Sequence, residues 1–248
     1  MSVDVYKYVY GVVCASAVAP ARAGLGGAPV ELIACGATAA VVSDVREREL
    51  DAGRQELMTH AEVLEDALRD GVVLPMRFGV VMADGEAVRR ELLQRHHDVL
   101  LSQLSELAGK VELRLRAVFE ETAVVGEVLR EHAEIAALRD ALRGCDEDAA
   151  YYERIRLGEM VADAVARKCE AEGEEILRAL APLALAVDRG GGAHERMALH
   201  ASFLVERDRV VEFDEAVDEL GRAQDGRLRL KYTGPLPPYS FVELPTEG

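Results

Sequence analysis

A chain of 248 residues has room for one large domain or two modest ones, and with half of its residues hydrophobic and a mean hydropathy near zero it can close a core, which argues against disorder. Its 29 Lys and Arg against 45 Asp and Glu leave a net charge of −16, a surface that repels phosphate and anionic lipid and sets nucleic acid aside as a partner. The four cysteines, Cys14, Cys35, Cys145 and Cys169, contain no C-x-x-C pair and fit reduced packing residues better than a disulfide or metal framework.

From the N-terminus, Tyr8 to Ala19 is apolar and ends in an Ala-Val-Ala that imitates a signal-peptidase site. Asp4 offsets Lys7 ahead of it, however, and Tyr6, Tyr8 and Tyr10 alternate as in a strand, so Val3–Val13 is expected as a buried strand. The loop Ala23–Pro29 follows. Glu31–Val45 predicts one bent strand or two short ones, with Gly36 at the bend. No apolar run reaches the roughly 18–20 residues of a membrane helix, because Pro29, Glu31 and Asp44 interrupt the next candidate, so a cytoplasmic chain without membrane insertion is expected.

Leu50, Leu57, Ala61, Leu64 and Leu68 recur at helical spacing and predict a helix over Glu49–Arg69, stopped by Gly71. Val72–Met82 predicts a strand in which Pro75 implies an edge, a start or a bulge. Asp84 is placed to cap a helix that Val88, Leu92, Val99, Leu100, Gln103, Leu104 and Leu107 carry to Gly109. Val111–Phe119 alternates cleanly, with Glu112, Arg114 and Arg116 on the face expected to be wet. This order of strands and helices suggests a ferredoxin-like α+β domain over residues 1–121, with its helices on one face.

Residues 122–181 read as a helical hairpin, Thr122–Arg143 and Tyr151–Leu180, broken at Gly144–Asp148. In the second helix Ile155, Gly158, Ala162, Val165, Cys169, Ile176 and Leu180 form a seam expected to pack on Val125, Leu129, His132, Ile135 and Leu142. Pro182 ends it, and residues 182–248 read as a second α+β domain. Its parts are a Gly190–Gly192 connection, a strand through Leu199, Ala201, Phe203 and Val205, a short helix closed by Gly221, an alternating strand Arg227–Tyr232, and the ending GPLPPYSFVELP. The fold class expected is therefore α+β, two α+β domains joined by a helical hairpin.

A search for chemistry returns little. The six histidines, among them His60, His194 and the adjoining His96 and His97, contain no ligand-spaced set, so no metal is expected. Gly24-Leu25-Gly26-Gly27 is not a dinucleotide fingerprint, no Gly-Lys-Ser/Thr or G-x-S-x-G occurs, and carboxylates are too numerous for any pair to stand out. No catalytic residues and no cofactor are expected.

Three segments are more distinctive: YVYGVV (Tyr8–Val13), VVLPMRFG (Val72–Gly79) with His60 and Val63 upstream, and LRLKYTGPLPPYSFVEL (Leu228–Leu244). They resemble the GvpL/GvpF gas vesicle family, with the Pro-rich ending the most specific part, and the order of elements matches over nearly the whole chain. The resemblance implies a two-domain α+β protein with helices between the domains. It also implies a minor vesicle component or assembly helper without known catalysis, cytoplasmic and associated with gas vesicles, whose partners are the small hydrophobic wall protein and other gas vesicle accessory proteins. No active-site residues carry over, and the F-type and L-type readings stay open.

Physically, Pro235, Pro237 and Pro238 fix φ and remove backbone donors, so the strand ending at Tyr232 is expected to turn and present Tyr239 and Phe241, either to a wall protein or as cover for a domain edge. Arg77 beside Phe78 is either the buried ion-pair partner of an acidic helix, the reading preferred here, or an exposed anchor on a binding face. These seven residues are the candidate protein-binding set.

Overall fold

The computed structural model describes residues 5–146, 150–191 and 195–243. Val3, the Glu147-Asp148 part of the hairpin break, Gly192, His194 and Leu244 lie outside the described residues.

The chain divides into two compact units, Met1–Glu112 with Pro235–Gly248, and Leu113–Gly234. Both are built from helices and an antiparallel sheet, so the α+β class is found. The sequence reading closed its first domain at residue 121 and opened its last at 182. Compactness instead divides the chain within the strand Lys110–Phe119 and again near the C-terminal prolines. An alternating strand shows which face is buried, but not which sheet it will join.

In the first unit β1 (Tyr6–Cys14) is central. β2 (Val30–Cys35) and β3 (Thr38–Val45) form a hairpin through Gly36, whose φ of 60° only glycine adopts without strain, which settles the choice for two short strands. The sheet order is β2-β3-β1-β4, with β4 (Val73–Pro75) and β5 (Val81–Met82) pairing different stretches of β1. Pro75 thus sits at the end of an edge strand, where its missing donor costs nothing.

Every residue from Tyr8 to Val13 and from Thr38 to Ser43 is buried, the signature of a sheet covered on both faces. α1 (Arg54–Asp70) lies on the face of Tyr8 and Gly11, where an added Cβ would come 2.9 Å from Leu64. α2 (Gly85–Ala87) lies over the other face, with Gly85 against Ile33. The helices thus cover both faces rather than one.

α1 begins after Gly53, so Leu50 stays outside it. Its buried stripe is His60, Val63, Leu64, Ala67 and Leu68, while Leu57 is exposed. Asp84 caps α2 through Oδ1, which accepts from Ala87 N–H at 2.8 Å. The predicted continuous helix is then interrupted: Val88–Gln94 is π-helical and the chain bends at His96 before α3 (His97–Glu106). The wider π turn rotates Leu93 into the core and leaves Val99 half exposed, which a strict 3.6-residue period cannot anticipate.

The second unit contains a sheet of order β7-β8-β6-β9, from β6 (Lys110–Phe119), β7 (Ala186–Arg189), β8 (Met197–Glu206) and β9 (Leu228–Leu236). β9 runs past Tyr232 and through Pro235, a place open to proline because this strand is also an edge. The helical region is α4 (Glu121–Glu131), a bend at His132, α5 (Ala133–Ala141) and the long α6 (Tyr151–Leu180). α6 meets the core only through its second half. Val165, Cys169, Ile176 and Leu180 of the seam are buried, but Ile155, Gly158 and Ala162 are exposed. α7 (Val210–Ala223) runs through Gly221 rather than stopping there, and its Phe213 packs on Phe203 at 5.1 Å between ring centroids.

One ion network ties these helices to the start of β9. Glu127 receives Arg227 Nε at 2.7 Å and Lys168 Nζ at 2.9 Å, while Arg227 Nη2 reaches Glu172 at 2.9 Å and the guanidinium lies 5.6 Å over the Phe119 ring. The hydrogen bond from Arg227, reinforced by Lys168, holds the Glu127 carboxyl well below its ordinary range, at about 2.

Candidate functional site

The first unit contains a cleft of about 970 Å³. Pro75 to Met82 supply one wall, Glu91, Leu92 and His96 of the π-helical region a second, and Tyr239, Val242 and Glu243 a third, with His60 also in the lining. Its volume falls at the upper end of the range for ligand sites, and its lining is mostly apolar with a few charged groups.

The first wall is fixed from behind by a tyrosine–histidine pair. Tyr8 Oη lies 2.8 Å from His60 Nδ1 and accepts the Gly79 N–H at 3.3 Å. Which of the two groups donates in that contact follows the ring tautomer. This relay ties Gly79 to β1, and the Met76 N–H donates to the Tyr10 carbonyl at 2.8 Å, so both ends of Met76–Gly79 are held. Burial favours the uncharged imidazole and pushes the His60 pKa down, an effect that the Met76 carbonyl partly opposes. Burial likewise pushes the Tyr8 hydroxyl up. Tyr10 stacks on His60 at 5.7 Å and Phe78 meets it edge-on at 5.8 Å.

The third wall is held through its backbone. Pro237 and Pro238 are buried, and turns close from Tyr239 N–H to Pro237 O (2.7 Å) and from Phe241 N–H to Pro238 O (3.0 Å). The fully buried Glu112 carboxylate accepts Ser240 N–H at 2.7 Å and the Ser240 hydroxyl at 3.2 Å. Gln103 pairs with Glu243 as a strand would, accepting its N–H at 2.8 Å and donating to its carbonyl at 2.6 Å. Alternation had placed Glu112 on a wet face. Its burial is made possible by these donors, which come from 128 residues away and leave no local signal.

Of the seven candidate residues, Arg77, Phe78 and Tyr239 line this one cleft. Pro237 and Pro238 shape the turn from inside, Pro235 is exposed on β9, and Phe241 is half-buried outside the lining. Arg77 is exposed and makes no ion pair among the described residues, so the preferred reading of a buried pair does not hold. Met76 lies in the distinctive Val72–Gly79 segment, but Met82, Glu91, Leu92, Val242 and Glu243 were not singled out as site residues. Val242 and Glu243 had a signal in the ending, but the others are ordinary helix or strand residues until the fold gathers them.

Among the described residues no group of three or more His, Cys, Asp and Glu is placed to hold a metal, and no helix is long and apolar enough to cross a membrane. A family model described as "Gas vesicle synthesis protein GvpL/GvpF" matches residues 6–243. The chain belongs to the GvpL/GvpF family. It is 39% identical to gas vesicle protein F of Streptomyces sp. (strain CB03234) over 240 residues, 95% of this chain and 99% of that one. Gas vesicle protein L of the same strain is 32% identical over 265 residues, covering 100% and 96%. The fold is that of crystallised GvpF from Anabaena sp. PCC7120 (TM-score 0.83, 24% identity, 97% and 99% of the two chains) and from Microcystis aeruginosa (TM-score 0.77, 22% identity, 98% and 100%). A gas vesicle-related role follows from membership of the family.

Proposed function

We propose that this GvpL/GvpF chain is a cytoplasmic assembly or minor structural protein of gas vesicles that binds the small hydrophobic wall protein during vesicle formation, without catalysis. The observation that carries this reading is the convergence of two distant motifs, Arg77-Phe78 and the Pro-rich ending at Tyr239, on one apolar cleft. A client rich in exposed apolar side chains needs a concave apolar surface to leave water. The acidic balance of the chain supports the same role, because net charge keeps a protein soluble while it holds an insoluble client.

The test is co-purification of the full chain with its cognate wall protein, beside deletion of its gene. Retention of the wall protein and loss of flotation are expected. A chain that leaves the wall protein behind, in cells that still float when it is deleted, has another role.

The volume of the cleft also favours a second reading, a small-molecule binder or enzyme. Burial of His60, with its Nδ1 held 2.8 Å from the Tyr8 hydroxyl, counts against acid–base chemistry there. Equilibration of the purified chain with a cell metabolite extract, followed by mass spectrometry of what is retained, separates the two readings.

A further inference from the structure

We propose that the cleft of the first unit docks an apolar segment of the wall protein that carries one carboxylate, with Arg77 as the residue that reads that charge. The inference rests on the wall-protein reading above and adds the site, the register-setting residue and the chemistry of the segment.

Charge complementarity carries it. In the same unit Arg22 is paired with Glu62 and Asp66, Arg69 with Asp66, Arg89 with Glu86 and Arg90 with Glu91, whereas Arg46, Arg48, Arg54 and Arg95 have no ion pair among the described residues and lie outside the cleft lining. In a chain with a formal charge of −16, acids for an arginine are plentiful. Among the unpaired arginines Arg77 is the one whose exposed side chain stands in the wall of the apolar cleft. The segment that bears it is not loose: Met76 N–H donates to the Tyr10 carbonyl at 2.8 Å on one side and Gly79 N–H to the Tyr8 hydroxyl at 3.3 Å on the other. A guanidinium whose backbone is fixed loses less freedom on pairing and is suited to bidentate recognition of a carboxylate.

The remaining charges of the lining define the segment further. Glu91 is already satisfied by Arg90 at 2.9 Å, while Glu243 stands at the rim and repels a second acid. The apolar lining includes Met76, Met82 and Phe78 together with Tyr239, flexible thioethers beside aromatic rings, which adapt to a side chain of irregular shape. The fitting partner is therefore an apolar stretch with a single Asp or Glu, rather than an acidic or a basic peptide.

The experiment captures the cognate wall protein on the full-length chain and compares wild type, Arg77→Glu, Arg77→Lys and the control Arg48→Glu, an exposed arginine outside the cleft. Circular dichroism and thermal unfolding check that each variant is folded. Expected results are capture by wild type and R48E alike, weakening by about tenfold in R77E, and partial retention in R77K. Recovery of capture when one acidic residue of the wall protein is changed to lysine, tested against R77E, would identify the partner charge. If wild type captures the wall protein and folded R77E does so equally well, the cleft inference is overturned while the wall-protein reading stands. The same holds if R77E is weakened and no acid-to-lysine change in the wall protein restores it. Absence of capture by wild type overturns both.

Discussion

Glu127 lies between two cations, Arg227 and Lys168, and its carboxyl is held at about 2 against an ordinary value of 4.5. Between those two values the unfolded chain binds a proton that the folded chain does not. The stability that Glu127 contributes is therefore complete above about pH 4.5 and is lost as the pH falls toward 2. Urea titrations from pH 6 to 2.5 should show wild type losing this contribution, on the order of 2 kcal/mol, while Glu127→Gln is already weaker at pH 6 and has a flatter acid limb. His60 works in the same direction at higher pH. Its folded pKa is depressed, so its contribution is present above the unfolded value of about 6.5 and declines on acidification below it. Tyr8→Phe removes the relay and should cost about 1–2 kcal/mol by the same titration at pH 7, leaving the Gly79 N–H without its acceptor.

At the scale of elements, close approach matters more than period. An added Cβ at Gly173 of α6 would fall on the Ala198 carbonyl oxygen of β8, so Gly173→Ala should destabilise the second unit by about 2 kcal/mol or more, read as a lower denaturation midpoint. The unequal halves of α6 give a paired test. Ile176→Ala, at a fully packed site, should cost about 2–4 kcal/mol, and Ile155→Ala, half exposed, should stay within about 0.5 kcal/mol. Strands and helices that bury one regular face were readable: β1, the β2–β3 pair, α1, β6, β8 and α7 all stand close to their expected places. What was not readable had long-range causes. Lys110–Phe119 has the same alternation whichever sheet it joins, the π-helical stretch has no residue signature of its own, and the seam of α6 keeps its spacing over turns where Ile155, Gly158 and Ala162 are exposed. The candidate site was half legible, since two motifs were visible as unusual strings but their meeting in one cleft depends on the path of the chain between them.

On the whole-molecule scale, the first unit borrows from beyond the second: Pro235 and the residues after it belong with residues up to Glu112. Ending the chain after Gly234 would strip the fully buried Glu112 carboxylate of both Ser240 donors. A cost of about 1–3 kcal/mol is expected, seen as early unfolding of the first unit by hydrogen exchange, and under the proposed function wall-protein capture is lost with it.

That discontinuity also orders events during synthesis. The ribosome makes the edge strand and the π-helical wall early, then the entire second unit, and only afterwards the stretch Tyr239–Glu243 that completes the cleft. A nascent or prematurely terminated chain therefore lacks one wall of the site, so under the proposed function competence to hold the wall protein arrives only once translation has passed residue 243, and unfinished copies are kept from sequestering it.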